Sequence, residues 1–221
     1  MNKLKGFLTV GLFAFALTIS SFASAEDLNP PQQVIQETSD LLHDILQKDK
    51  SKLDDLDYVF QLVNEVLEPR VDLNKISRLV LGKHWRKASE EQKTSFQKEF
   101  KGLLVNTYAT AFKEFDEWTI HFIPMTFDPT DTRLMVKTEI IQPSRPPVAV
   151  NYRMALNKAG EWKAYDVIIE GISMVTNYKA SFSKTIKSAG GLDQVIQQLA
   201  EKNKLSETDS QLVREETSNK S

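Results

Sequence analysis

Ser89 to Phe115 reads SEEQKTSFQKEFKGLLVNTYATAFKEF, and after Asp116 and Glu117 the chain enters WTIHF, Trp118 to Phe122. In the first stretch apolar side chains fall at Phe96, Phe100, Leu103, Leu104, Tyr108, Ala111, Phe112 and Phe115, with Thr107 among them, a helical spacing throughout. Ser89 and Gln92 make a capping-box pattern, and Glu90 and Glu91 sit where the helix dipole favours negative charge. The period then falls to two: Trp118, Ile120 and Phe122; Leu134, Val136 and Ile140; Val148, Val150, Tyr152, Met154 and Leu156. Lys137, Glu139, Asn151 and Arg153 alternate with these and leave the opposite face wet. Trp162 to Glu170 predicts a fourth strand after the turn Asn157-Lys158-Ala159-Gly160, and Pro143, Pro146 and Pro147 bracket the turn before it. Consecutive strands joined by short polar turns predict a twisted four-stranded antiparallel sheet.

Helices flank this sheet in sequence. Pro30 to about Gln47 carries Val34, Leu41, Leu42, Ile45 and Leu46 behind two prolines that suit a helix start. A second helix runs from Leu53 or Leu56 through Val59, Phe60, Leu62, Val63 and Leu67 to stop at Pro69, and a third covers Leu73 to Trp85. After Gly171, Val175, Tyr178, Phe182 and Ile186 share a helical face that ends at Gly190, and a last short helix uses Leu192, Val195, Ile196 and Leu199. The fold class is α+β, with N-terminal and C-terminal helices packed on the sheet. A curved sheet closed by helices can enclose a cavity, though periodicity alone does not show one.

Lys3 and Lys5 precede a small-and-apolar run from Gly6 to Ile19, and Ala23-Ser24-Ala25 offers a cleavage site, so residues 1–25 are expected to be a removed export signal. The expected mature chain of 196 residues suits one domain, 26–205, followed by a polar segment, 206–221, expected to be disordered. With 0 cysteines, thiolate metal sites and cysteine nucleophiles are excluded, as is a lipidated cysteine anchor. The net charge of −2 carries no general field for nucleic acid, and no nucleic-acid partner is expected. Charge is nonetheless polarised: Glu26 to Asp72 holds 12 acidic and 4 basic residues, Arg133 to Ala189 holds 9 basic and 4 acidic.

Motifs for chemistry are missing. His43, His84 and His121 fall on separate elements without ligand spacing, so no metal site is expected. There is no G-x-S-x-G, phosphate loop or H-E-x-x-H, and Gly190-Gly191 reads as a helix stop. Asp166 and Glu170 lack an evident base or nucleophile partner, so no catalytic residue is assigned and the protein is expected not to be an enzyme. Lys83-His84-Trp85-Arg86-Lys87 reads as a solvated turn with Trp85 tucked inward. On the residues alone, the surplus of inward apolar side chains fits either a filled core, as in a ligand-free interaction module, or a pocket.

RLVLGKHWR (Arg78 to Arg86), the helix start at Ser89, LLVNTYA (Leu103 to Ala109) and VIIEGISMVTNYKASFS (Val167 to Ser183) together resemble the MlaC family, also called the toluene-tolerance auxiliary component family, over roughly Pro30 to Lys202. The resemblance implies a monomeric periplasmic phospholipid carrier with the acyl chains in an apolar pocket and no cofactor beyond that cargo. It implies passage of lipid between an outer-membrane lipoprotein–porin complex and an inner-membrane MCE-domain ABC transporter, in the pathway that maintains outer-membrane lipid asymmetry. Given such a pocket, the inward stripes nominate Leu103, Leu104, Tyr108, Phe112, Val136, Ile140, Val150, Tyr152, Met154, Val175 and Tyr178 as its lining.

Overall fold

The computed structural model describes the backbone of residues 28–114 and 117–218 and the side chains of residues 28–109 and 117–206. The expected signal, residues 1–25, lies outside the described residues, as do Phe115 and the side chains of Ala111 and Phe112.

Helix α1, Pro30–Asp49, starts on a full capping box: the Asn29 backbone N–H donates to Gln32 Oε1 at 3.1 Å and the Gln32 N–H to Asn29 Oδ1 at 3.3 Å. Asp55 caps α2, Leu56–Leu62, which passes into a π-helical turn, Val63–Leu67, and a 3-10 turn, Glu68–Arg70, where Pro69 forbids a continued helix. Asp72 accepts from the Lys75 N–H at 2.8 Å and starts α3, Leu73–Leu81. That helix ends short of the expected Trp85, which lies buried in the following turn. Helix α4, Glu90–Glu114, is capped as predicted, with Ser89 and Gln92 exchanging hydrogen bonds of 2.9 and 3.1 Å.

The sheet is an antiparallel meander in the order β1 Thr119–Phe122, β2 Arg133–Ile141, β3 Val148–Leu156, β4 Trp162–Ile169, β5 Ile172–Ser173. It therefore has five strands rather than four: Glu170, with φ of 48°, and Gly171, at 80°, turn the chain back so that Ile172 pairs with Ile169. Two residues are too few for any periodicity to announce a strand. Helix α5, Met174–Ala189, follows at once and stops at Gly190, whose left-handed φ of 89° suits glycine. Helix α6, Leu192–Ser218, runs far beyond the expected short element and through most of the 206–221 segment expected to be disordered. Apolar anchors had marked only its first two turns; a polar one, Asn203, extends its docking. Asn203 is buried, and its Nδ2 donates to the Glu99 carbonyl at 3.0 Å and Glu99 Oε2 at 2.9 Å.

Three apolar clusters hold the described residues together. One joins Val80, Leu81 and Trp85 to Phe96, Phe100, Phe182, Ile186, Val195 and Leu199, and its Phe96, Phe100 and Phe182 rings lie 5.2 to 5.6 Å apart. A second packs α1 and α2 on Val105 and Ala109 of α4. In the third, Ile35 of α1 closes on Val136, Met154, Trp162 and Ala164 of the sheet. Helices α1, α3 and α5 all meet the sheet at β4.

Candidate functional site

Between the α4 helix and β4 lies a cavity of about 430 Å³, within the range usual for small-molecule pockets. Its floor is β4. Met154 pairs with Ala164 and Arg153 with Asp166, so one extra residue is inserted in β4 and the side chains of Ala164 and Val167 come to the same face. Ala164, Val167 and Ile169 line the cavity from that strand. Phe100, Leu104, Val105 and Tyr108 line it from α4, Leu73, Ile76 and Val80 from α3, and Val63, Leu67 and Val71 from the irregular link between α2 and α3. Met174, Val175 and Tyr178 close it from α5.

Two anchors on β4 hold these walls apart. Val71 bridges Ala164 in parallel fashion and the Asp72 N–H donates to the Ala164 carbonyl at 2.9 Å, which pins the start of α3. Asp166, 3 % exposed, pins the start of α5: it accepts from Ser173 Oγ at 2.6 Å, the Val175 N–H at 3.0 Å and Arg153 at 3.2 Å. A carboxylate with three donors around it is a structural anchor at a helix N-terminus, where the dipole also favours it.

The wall is apolar with few polar points. Tyr108 is partly exposed, and its hydroxyl reaches Met174 Sδ at 3.7 Å. Burial, then the hydrogen bond to Tyr108, pushes the Tyr178 phenol well above its ordinary range, so it stays neutral. Lys101 Nζ pairs with Glu68 Oε2 at 3.0 Å and donates to Asn64 Oδ1 at 2.9 Å at the rim. The lining residues contain no paired nucleophile and base, and among the described residues no cluster of three or more His, Cys, Asp or Glu could hold a metal.

Of the residues nominated from sequence, Leu104, Tyr108, Val175 and Tyr178 meet on this cavity. Leu103 packs instead against the phenylalanine cluster. Val136 and Met154, both 0 % exposed, and Tyr152 beside them lie in the solid core under α1. Ile140 and Val150 are half-buried on the sheet and do not line the cavity, although Val150 pairs with Ile169, which does, and the side chain of Phe112 lies outside the described residues. On the sheet, Ile35 of α1 packs with Val136, Met154, Trp162 and Ala164, and the cavity is lined from β4. The wall from Val63 to Ile76 was not nominated. Its signal was the irregular link ending at Pro69, where a helix that breaks cannot fill the space beside it.

The chain is similar to known proteins. The family described as MlaC protein matches residues 36–201. The intermembrane phospholipid transport system binding protein of Haemophilus influenzae is 29 % identical over 171 residues, which is 76 % of this chain and 78 % of that protein. A toluene tolerance protein of Pseudomonas putida is 29 % identical over 169 residues, 75 % of this chain and 78 % of that protein. Among solved structures, a phospholipid-binding protein from Ralstonia solanacearum in complex with a phospholipid superposes with a TM-score of 0.74 at 30 % identity, over 80 % of this chain and 99 % of that one.

Proposed function

The chain belongs to the MlaC family, and on that premise we propose that it is a phospholipid carrier that takes the acyl chains of its cargo into the cavity between α4 and β4. The observation that carries the reading is that cavity: about 430 Å³, with apolar side chains supplied by four helical elements and a strand and held open by anchors on β4. A solid-core interaction module would have no use for it. The relatives' names, an intermembrane phospholipid transport binding protein and a protein with phospholipid bound, support the same cargo.

Such a carrier answers a physical need. At about 0.8 kcal/mol per CH₂, exposing two ordinary acyl chains to water costs on the order of 25 kcal/mol, so unaided crossing of an aqueous gap is negligible. The protein works by binding and release, with directionality supplied from outside, because a carrier without differential affinity for its states cannot shift its own equilibrium. It operates as a monomer in the periplasm, between an outer-membrane lipoprotein–porin complex and an inner-membrane MCE-domain ABC transporter. The export signal expected at residues 1–25 supports this location, and no described helix is long and apolar enough to cross a membrane. No step in this cycle asks for catalysis or a cofactor.

The test is native mass spectrometry of protein purified without detergent, with Leu104→Glu and Val150→Glu alongside. A phospholipid adduct in the wild type that Leu104→Glu loses and Val150→Glu keeps is expected, since Leu104 lines the cavity and Val150 does not. A bare protein mass that persists after incubation with phospholipid vesicles would refute the carrier reading.

A further inference from the structure

Three charged side chains lie on the cavity wall, and they are used differently. Asp166 is spent inside, on Ser173, Val175 and Arg153. Lys101 and Glu68 are not. Their side chains are 27 % and 43 % exposed, so they stand where the apolar cavity meets water. The Lys101 ammonium has three N–H groups, and two are taken, by Glu68 Oε2 and Asn64 Oδ1. The third has no acceptor among the described residues, and Glu68 Oε1 has no donor there.

Both groups are placed by elements that build the wall. Lys101 sits one turn before Leu104 and two before Tyr108 on the cavity stripe of α4. Glu68 follows the π-helical turn that contributes Val63 and Leu67, and the Arg70 guanidinium donates to the Val66 carbonyl at 2.8 Å to hold that turn. The mouth thus presents an unfilled donor on a cation beside an unfilled acceptor on an anion.

We infer that Lys101 and Glu68 form a headgroup subsite selective for zwitterionic, amine-bearing phospholipids, with Lys101 taking a phosphate oxygen and Glu68 the headgroup ammonium. The inference rests on the carrier reading above. With the acyl chains in the cavity, the phosphodiester is left at the mouth, and in an ethanolamine headgroup a short ethylene link separates it from the amine. The four charges then alternate in sign around a ring, each beside its opposite. A headgroup with phosphate but no amine would satisfy Lys101 and leave its negative charge facing Glu68, with nothing to offset the repulsion.

The experiment loads the delipidated protein from vesicles of equimolar dioleoyl phosphatidylethanolamine and dioleoyl phosphatidylglycerol, and reads the ratio of the two adducts by native mass spectrometry. Wild type should favour the ethanolamine lipid about fivefold, the selectivity a part-exposed ion pair can supply. Glu68→Gln should bring the ratio to about one or below, and Lys101→Gln should lower loading while the ratio stays above one. A wild-type ratio near one overturns the inference, as does an unchanged ratio in Glu68→Gln, or equal loss of both lipids in both variants, which would mean the pair only braces the wall. Absence of both adducts from the wild type refutes the carrier reading instead.

Discussion

Asp166→Ala is the substitution that most directly couples this fold to its cavity. The carboxylate is 3 % exposed and accepts from Ser173 Oγ, the Val175 N–H and Arg153. Removing it strands a backbone donor and a hydroxyl at the start of α5 and leaves a guanidinium without its partner. Breaking a buried pair commonly costs roughly 3–5 kcal/mol, but Arg153 is 43 % exposed and can turn to water, so about 3 kcal/mol is expected here. For a domain of this size that is a fall in Tm of roughly 6–12 °C. Urea unfolding followed by circular dichroism measures the loss, and hydrogen exchange locates it: Val175 and Thr176 amides should exchange faster than those later in α5. Asp166→Asn keeps an acceptor for Val175 and should lose about half as much. Because α5 supplies Met174, Val175 and Tyr178 to the wall, lipid retention should fall with the same ranking. A loss under about 1 kcal/mol for Asp166→Ala, with unchanged exchange at Val175, would refute the anchoring role.

Gly102→Ala should destabilise by a net of about 2 kcal/mol despite alanine's better helix propensity, because the new Cβ would lie 2.6 Å from Asn203 Nδ2; combining it with Asn203→Ala should recover part of the loss in a thermal melt. At high pH, burial holds the Tyr152 phenol up at about 12 against an ordinary 10.0. Its contribution is fully present below pH 10 and is lost as pH rises through 12, up to about 2 kcal/mol, so stability measured against pH should fall less steeply there in Tyr152→Phe.

Much of this fold was legible because apolar periodicity reports which side of an element is dry. The capping box at Ser89, the buried Phe96 and Phe100 of α4 and the strands β2 and β3 all appear where the sequence put them, while Val105 and Ala109, outside the expected stripe, are buried too. What periodicity cannot report is what lies against a dry side. Val136 and Leu104 are both inward, yet one meets Ile35 and the other faces the cavity, a difference set by which element lies opposite each. Two further features escaped for their own reasons. The extra residue in β4 disrupts the alternation that would have assigned Val167 and Ile169 to the inner face. The docking of α6 depends on Asn203, whose polarity argues for exposure until its partners on Glu99 are known. The cavity-facing part of the nomination, Leu104, Tyr108, Val175 and Tyr178, comes from two of the segments that also carry the family resemblance.

An apolar cavity has to be defended against collapse. Packing 430 Å³ as ordinary core would gain, at about 24 cal/mol per Å³, up to about 10 kcal/mol, comparable with the whole stability of many domains. The part-exposed lining at Lys101, Glu68, Tyr108 and Ile169 lowers that figure without removing it. The chain resists by fixing the starts of the two opposing helices on one strand: α3 through Val71 and Asp72 on Ala164, α5 through Asp166 two residues along. Behind them, the close-set rings of Phe96, Phe100 and Phe182 keep α4 and α5 from sliding inward, because interiors packed at crystal density do not deform by small amounts. The hydrogen-bonded anchors and aromatic ring cluster therefore frame the cavity, while the apolar side chains of Leu104, Ile76 and Val175 face it. A frame of this kind forgoes packing energy when empty and regains it when an apolar guest enters, which ties the affinity of the site to the rigidity of its walls rather than to any single contact within it.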